Sequence, residues 1–189
     1  MKQKFSQSFL EFKNLHSLIG MAMLLALGVV LNLFSTSIPI PILAGTYVTL
    51  GFIPNALLGM MYGPVAGVLA AGVGDILQFM IKPDGGFFFG FTLSAMMTVF
   101  FDGLFFYKFK LSIPRLLANR FIINMFVNGV LQTLWISMMG GKSMAVLIFP
   151  RLLKNLVLLP VESLVLYLLL GSLIRIFARK KVPETHSIS

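Results

Sequence analysis

Three short patterns in this chain combine side chains able to bind a polar molecule, and each lies inside an apolar run. They are Asp75 with Gln78, Gln132 with Trp135, and Arg151 with Lys154 and Asn155. Spacings of three or four residues put each set on one face of a helix. The chemistry on offer is recognition: a carboxylate acceptor, amides that both donate and accept, an ammonium, and a guanidinium able to fork onto a carboxylate. Tyr47 and the cluster Phe87, Phe88, Phe89 and Phe91 adjoin these sets and add flat apolar faces. Two cations against one carboxylate favour an anionic ligand, and the aromatic density favours a flat ring.

Such groups are costly unless something satisfies them, because the chain around them reads as membrane. Of 189 residues, 58% are hydrophobic and 11% charged, and the mean hydropathy is +0.94. This is far from a soluble composition, and ionisable groups inside apolar spans must face protein, water or a ligand. The length suits one domain. With no cysteine there is no disulfide, thiol nucleophile or cysteine metal site. The net charge of +9 sits in short flanks and turns, which fits basic cytoplasmic loops better than a nucleic-acid surface.

The elements that must position these residues follow from the apolar runs. Residues 1–14 form a basic, partly amphipathic leader expected to lie at the interface. It does not read as a cleaved signal, because a full-length apolar span follows it. Spanning helices are expected over 15–34, near the length that crosses a core of roughly 30 Å, over 48–62, a short span kinked or started at Pro54, over 65–81, 89–107 and 115–139, and within 145–177. A charge-free Pro-containing loop is expected over 35–47, and Gly63-Pro64 makes a tight turn between the second and third spans. The leader, the loop with Lys108, Lys110 and Arg115, and the tail with Arg179, Lys180 and Lys181 carry the positive charge. The fold class is therefore all-α: a six-transmembrane-helix bundle over 15–178 with both termini cytoplasmic and a short tail at 179–189.

Counting about 1.5 Å per residue sorts the polar groups into two layers. The outer layer holds Asp75, Gln78, Gln132, Trp135, Arg151, Lys154 and Asn155, with Tyr47 and Phe88 in adjoining loops, and describes a ligand cavity. Bland alternatives stand beside it: Arg151 snorkelling to headgroups, Trp135 in an interfacial belt, and Asp75 simply paired with Lys154 or Arg151. The inner layer holds Asp102, Arg120, Asn124, Asn128 and Glu162. Asp102 and Arg120 come out at similar depth, which predicts a structural ion pair. Asn124 and Asn128 continue a stripe toward Gln132, drifting about 40° per four-residue step, and are expected to hydrogen-bond between helices. Glu162 takes neither role.

Several function classes lack their residues. His16 and His186 are the only histidines, so no histidine metal site or acid–base centre is expected in the membrane. There is no G-x-x-x-x-G-K-[ST], G-x-S-x-G or H-E-x-x-H, and no charge ring for an ion channel. A small-molecule carrier or binding subunit remains, against an intramembrane lipid-modifying enzyme built on Asp75 and Lys154. No cofactor or metal is expected. Ala22 and Ala26 form a small-residue pair that permits close helix approach.

Five segments carry a resemblance: GMMYGPVAG (59–67), GVGDILQFM (72–80), PDGGFFFGFTLSA (83–95), NRFIINMFVNGVLQTLWI (119–136) and PRLLKNLVLLPVE (150–162). Together they resemble the substrate-binding membrane subunits (S components) of energy-coupling factor vitamin transporters, and their folate-specific branch in particular. The resemblance implies a multi-pass protein of the bacterial plasma membrane that binds vitamin from outside. It also implies docking on a transmembrane coupling protein driven by two cytoplasmic ATPases, with Ala22 and Ala26 as the docking pair. Folate would bring its glutamate carboxylates to Arg151 and Lys154 and its pterin amino edge to Asp75. Thr49 stands where the folate branch is expected to carry a basic residue, and another anionic vitamin such as pantothenate is the alternative ligand.

Overall fold

The computed structural model describes residues 7–35, 50–83, 86–109, 112–140 and 143–180, with side chains omitted at 33–35 and 173–180. The expected loop at 35–47 and its Tyr47, together with Thr49 and the last residues of the tail, fall outside the described residues almost entirely. All the regular structure described is helical: α1 (Leu15–Ser35), α2 (52–62), α3 (64–81), α4 (Phe89–Phe106), α5 (Ile113–Met138) and α6 (Met144–Lys180). The expected spans are present, with ends shifted by a few residues.

Helices α2 and α3 are two separate helices within Phe52–Ile81, joined at a kink at Gly63. Gly63 adopts φ 82° and ψ −176°, a left-handed conformation that favours glycine, and Pro64 opens the next arm. The arms lie against each other. A Cβ placed on Gly67 would stand 3.1 Å from the Leu58 carbonyl oxygen, while one on Gly28 of α1 would touch Pro54 of α2 and approach Gln78 of α3. Residues 24 apart in sequence are thus level, and the predicted turn at Gly63-Pro64 is a true reversal.

The tightest crossing joins this hairpin to α4. A Cβ on Gly103 would fall 2.6 Å from the Pro64 nitrogen, and one on Gly59 2.7 Å from the Gly103 nitrogen. Only hydrogen at these positions lets the backbones approach so closely, as in small-residue packing between membrane helices. Leu58, Tyr62, Ala66, Ala70 and Val99 fill the core beside that crossing, with Met21 of α1 against them. A second cluster joins Ala56 and Leu57 to Phe106, Leu116, Leu166 and Leu170, closing α5 and α6 around the bundle.

The leader does more than lie at an interface. Residues 7–10 form a helical turn followed by a 3-10 turn at Glu11–Lys13. Ser8 is fully buried and inserts into the α2–α3 turn. Its hydroxyl donates to the Tyr62 carbonyl at 2.6 Å and accepts from the Val65 and Ala66 amides at 3.1 Å each. These amides open α3 and have no partner within their own helix, so one serine caps the helix and ties the turn at once.

Helix α5 departs from the regular pattern expected of it. Ile123–Leu131 is π-helical, with i→i+5 hydrogen bonds in place of i→i+4. Within this stretch Asn128 Nδ2 donates to Asn124 Oδ1 at 2.9 Å, a contact between residues four apart on one helix.

Candidate ligand-binding site

The helices enclose a cavity of about 480 Å³. Its wall takes residues from every helix: Leu24, Leu25, Gly28 and Asn32 from α1, Pro54, Asn55 and Leu58 from α2, Asp75 and Gln78 from α3, Ser94 and Thr98 from α4, Arg120, Asn128 and Gln132 from α5, and Glu162 from α6. Along α1 the wall runs from Leu24 to Asn32, about 12 Å at ~1.5 Å per residue. Asn32, Gly51 and Gln78 line one part of the cavity, and Arg120 and Glu162 line another.

The structure brings part of the expected set together. Asp75, Gln78 and Gln132 all line the cavity. Asp75 Oδ2 accepts from the buried Thr92 hydroxyl at 2.7 Å, a neutral partner in place of the alternative pairing with Lys154 or Arg151. Gln78 Oε1 accepts from Asn32 Nδ2 at 2.5 Å, fixing the glutamine and joining α1 to α3.

Trp135 and Phe88 stand one layer behind the wall. Trp135 Nε1 donates to Ser94 Oγ at 3.0 Å, and its ring packs on Phe88 at 5.7 Å between centroids. Phe88 in turn meets Phe91 edge-on at 6.2 Å. Ser94 and Phe91 are wall residues, so the aromatic group positions the surface that a ligand would meet.

The α6 set is placed differently. Arg151, Lys154 and Asn155 are not part of the wall. Asn155 is buried, and its Nδ2 donates to the Asn124 carbonyl at 2.8 Å, pinning α6 to the π-helical stretch of α5. Depth along a helix follows from counting residues, but direction around the axis does not. Arg151 and Lys154 stand off this lining, with Lys154 near enough for its charge to act on the wall residue Glu162.

The wall also contains residues placed in the inner layer by counting. Arg120 and Asp102 form the expected ion pair, both almost fully buried, and Asn119 Nδ2 donates to the same Asp102 oxygen at 2.6 Å. Arg120 is at the same time a wall residue, as are Asn128 and Glu162. Asn124 Nδ2 donates to Glu162 Oε2 at 2.9 Å, which supplies the partner that Glu162 lacked. Among the wall residues, Asp75 and Glu162 stand with one guanidinium, itself paired with Asp102, and the Lys154 ammonium behind the wall acts on Glu162. Asn32 and Asn55 were missed altogether. Their signal was present, since each is a lone amide in an apolar run.

Residues 16–170 match the family model described as "ECF transporter, substrate-specific component". A curated folate transporter FolT from Clostridium novyi (strain NT) is 37% identical over 155 residues, 82% of this chain and 88% of that protein. A second folate transporter FolT, from Leuconostoc mesenteroides, is 29% identical over 168 residues, 86% of this chain and 88% of that protein. Among solved structures, a crystal structure of FolT bound with folic acid matches with a TM-score of 0.71 and 28% identity, covering 81% of this chain and 90% of that one.

Proposed function

This chain belongs to the substrate-specific components of ECF transporters, a family of multi-pass membrane proteins that are not enzymes, and we propose that its ligand is folate. The observation that carries the reading is the cavity itself: about 480 Å³, walled by amides, hydroxyls and two carboxylates, and backed by Trp135 and Phe88. Its size falls within the range of small-molecule sites, and a wall rich in paired donors and acceptors suits a polar heterocycle. The likeness to proteins named as folate transporters supports the same ligand.

Asp75, Gln78 and Gln132 contact the ligand; Trp135 and Phe88 hold the wall in shape; Arg151 and Lys154, off the wall, contribute the positive field that draws an anion in. Lysine and arginine in the leader and in the α4–α5 loop favour a cytoplasmic side for that end by the positive-inside rule. The transmembrane coupling protein and the two ATPase subunits supply the energy, and Ala22 and Ala26, exposed on α1 away from the cavity, are the docking pair. The experiment is a calorimetric titration of the detergent-purified protein with folate and, separately, with pantothenate. Saturable folate binding at one site per chain is expected. Binding of pantothenate without folate overturns the ligand assignment.

A further inference from the structure

We propose that the end of the bundle formed by the leader, the α2–α3 turn and the α4–α5 loop binds the phosphate of an anionic phospholipid in the adjoining leaflet, with Lys108 and Arg115 as its ligands. The site stands apart from the cavity and is independent of the vitamin bound there. Ser8 of the leader seats in the α2–α3 turn, and a Cβ on Gly63 would touch both Ser8 and the Tyr107 ring. Leader, turn and loop therefore meet at one place. Gln7 closes the contact, its Oε1 accepting from Lys108 Nζ at 2.5 Å across 101 residues of sequence.

Charge, geometry and apolar surface point to the same occupant. Over 7–14 and 107–115 the described charged groups are Lys13, Lys108 and Arg115 against Glu11, and Glu11 already accepts from the Ser17 hydroxyl at 2.5 Å. Lys108 is held in place. Its φ of 55° is the one positive value outside glycine among the described residues, a conformation that such a residue adopts where its surroundings impose it. Its ammonium lies 5.2 Å from the centroid of the Tyr107 ring. Gln7 takes one of the three ammonium donors, and the side chain is exposed. Arg115 lies over the Phe109 ring at 4.4 Å, and a guanidinium is the cation that forks onto a phosphate. Beside these cations Phe9, Leu10, Leu15, Phe109 and Ile113 are 45–70% exposed. An acidic protein, a nucleic acid or free phosphate would match the charge and leave those side chains in water. A leaflet matches both, taking the apolar groups among its chains and the cations at its phosphates.

The test titrates the full-length protein, in a neutral detergent and without folate, with short-chain phosphatidylglycerol, short-chain phosphatidylcholine and inorganic phosphate, reading the melting temperature. Phosphatidylglycerol should raise it saturably, whereas phosphatidylcholine and inorganic phosphate should leave it unmoved over the same range. Lys108→Gln with Arg115→Gln should weaken the phosphatidylglycerol midpoint about 25-fold, at about fivefold for each cation beside an anionic surface. Lys82→Gln with Lys142→Gln removes the same charge elsewhere in the chain and should shift the midpoint by less than about threefold. Gln7→Leu keeps every cation and releases the Lys108 ammonium, so it should weaken the lipid by about fivefold, the scale of one misplaced cation. Equal losses in the two double variants mean attraction to net charge alone and overturn the proposal, as does an equal response to phosphatidylcholine. A response to inorganic phosphate that matches the lipid overturns the leaflet as occupant. Should Lys108→Gln with Arg115→Gln not fold, Gln7→Leu decides: a midpoint equal to that of wild type overturns the proposal.

Discussion

Helix α1 and the α2–α3 hairpin are almost equally apolar and are used in opposite ways. The most apolar window of α1 has mean hydropathy 1.9 and is 17% buried within the protein; the hairpin, at 1.7, is 67% buried. Hydropathy selects the solvent, and side-chain size selects the neighbour. The buried face of the hairpin is built from residues such as Ala56, Gly59, Ala66, Gly67, Ala70 and Gly74, so backbones come together and dispersion contacts are dense. Helix α1 turns Leu24, Leu25, Gly28 and Asn32 to the cavity and leaves Ile19, Met23, Leu27 and Val30 outside. One region is the rigid frame of the site, and the other is a wall with a free back.

The sharpest way to break the contrast is to add bulk where the frame has none. Gly103→Val should give the largest effect, because its first carbon would already lie 2.6 Å from the Pro64 backbone, which cannot rotate away. Overpacking of this kind costs about 1–3 kcal/mol where side chains can adjust and more where they cannot. The expected outcome is no monodisperse protein on size-exclusion chromatography. A Gly103→Val protein that folds and binds folate would show that the frame is looser than its geometry.

Next in size is the buried ion pair. Arg120→Met leaves the Asp102 charge in the core with only Asn119 to serve it, a loss of about 3–5 kcal/mol, read as a lowered melting temperature. The double change Arg120→Met with Asp102→Leu should recover most of that stability, since replacing both partners removes the stranded charge. It should still bind folate poorly, because Arg120 is also a wall residue. Stability and affinity would then separate within one variant.

The fold was largely legible in the chain because six apolar runs, the Gly63-Pro64 break and the basic loops are local signals. The pairing of Asp102 with Arg120 was legible for a similar reason: both depths follow from counting, and a buried charge requires a partner. The cavity was less legible. Assigning Arg151 and Lys154 to it required their direction around α6, which depends on how that helix packs. The sequence shows no marker for the π-helical stretch Ile123–Leu131. Glu162 lacked a role because its partner, Asn124, lies on another helix, and counting residues does not give direction around an axis.

A smaller effect tests the tie between leader and hairpin. Ser8→Ala removes one hydroxyl that serves the Tyr62 carbonyl and two α3 amides. Leaving such groups buried and unmet costs about 1–3 kcal/mol. The melting temperature should fall by less than in Arg120→Met, and folate affinity should weaken modestly, because the hairpin carries Asp75 and Gln78. An unchanged melting temperature would mean that the hairpin holds its turn without the leader.

The smallest effect on the isolated protein belongs to α1, and it is the most telling for the comparison. Ala22 and Ala26 lie exposed on the side of α1 facing away from the cavity. Ala22→Leu with Ala26→Leu changes no internal contact, so stability should stay within about 0.5 kcal/mol. Folate affinity of the purified subunit should be unchanged for the same reason. In the assembled transporter the outcome should reverse: if this pair permits close approach to the coupling protein, two leucines hold the helices apart, and folate uptake by reconstituted vesicles should collapse. Uptake at the wild-type rate would refute the docking role and leave the back of α1 to lipid alone. Lost folate binding in the isolated subunit would show instead that α1 belongs to the frame, and the two regions would differ less than their burial indicates.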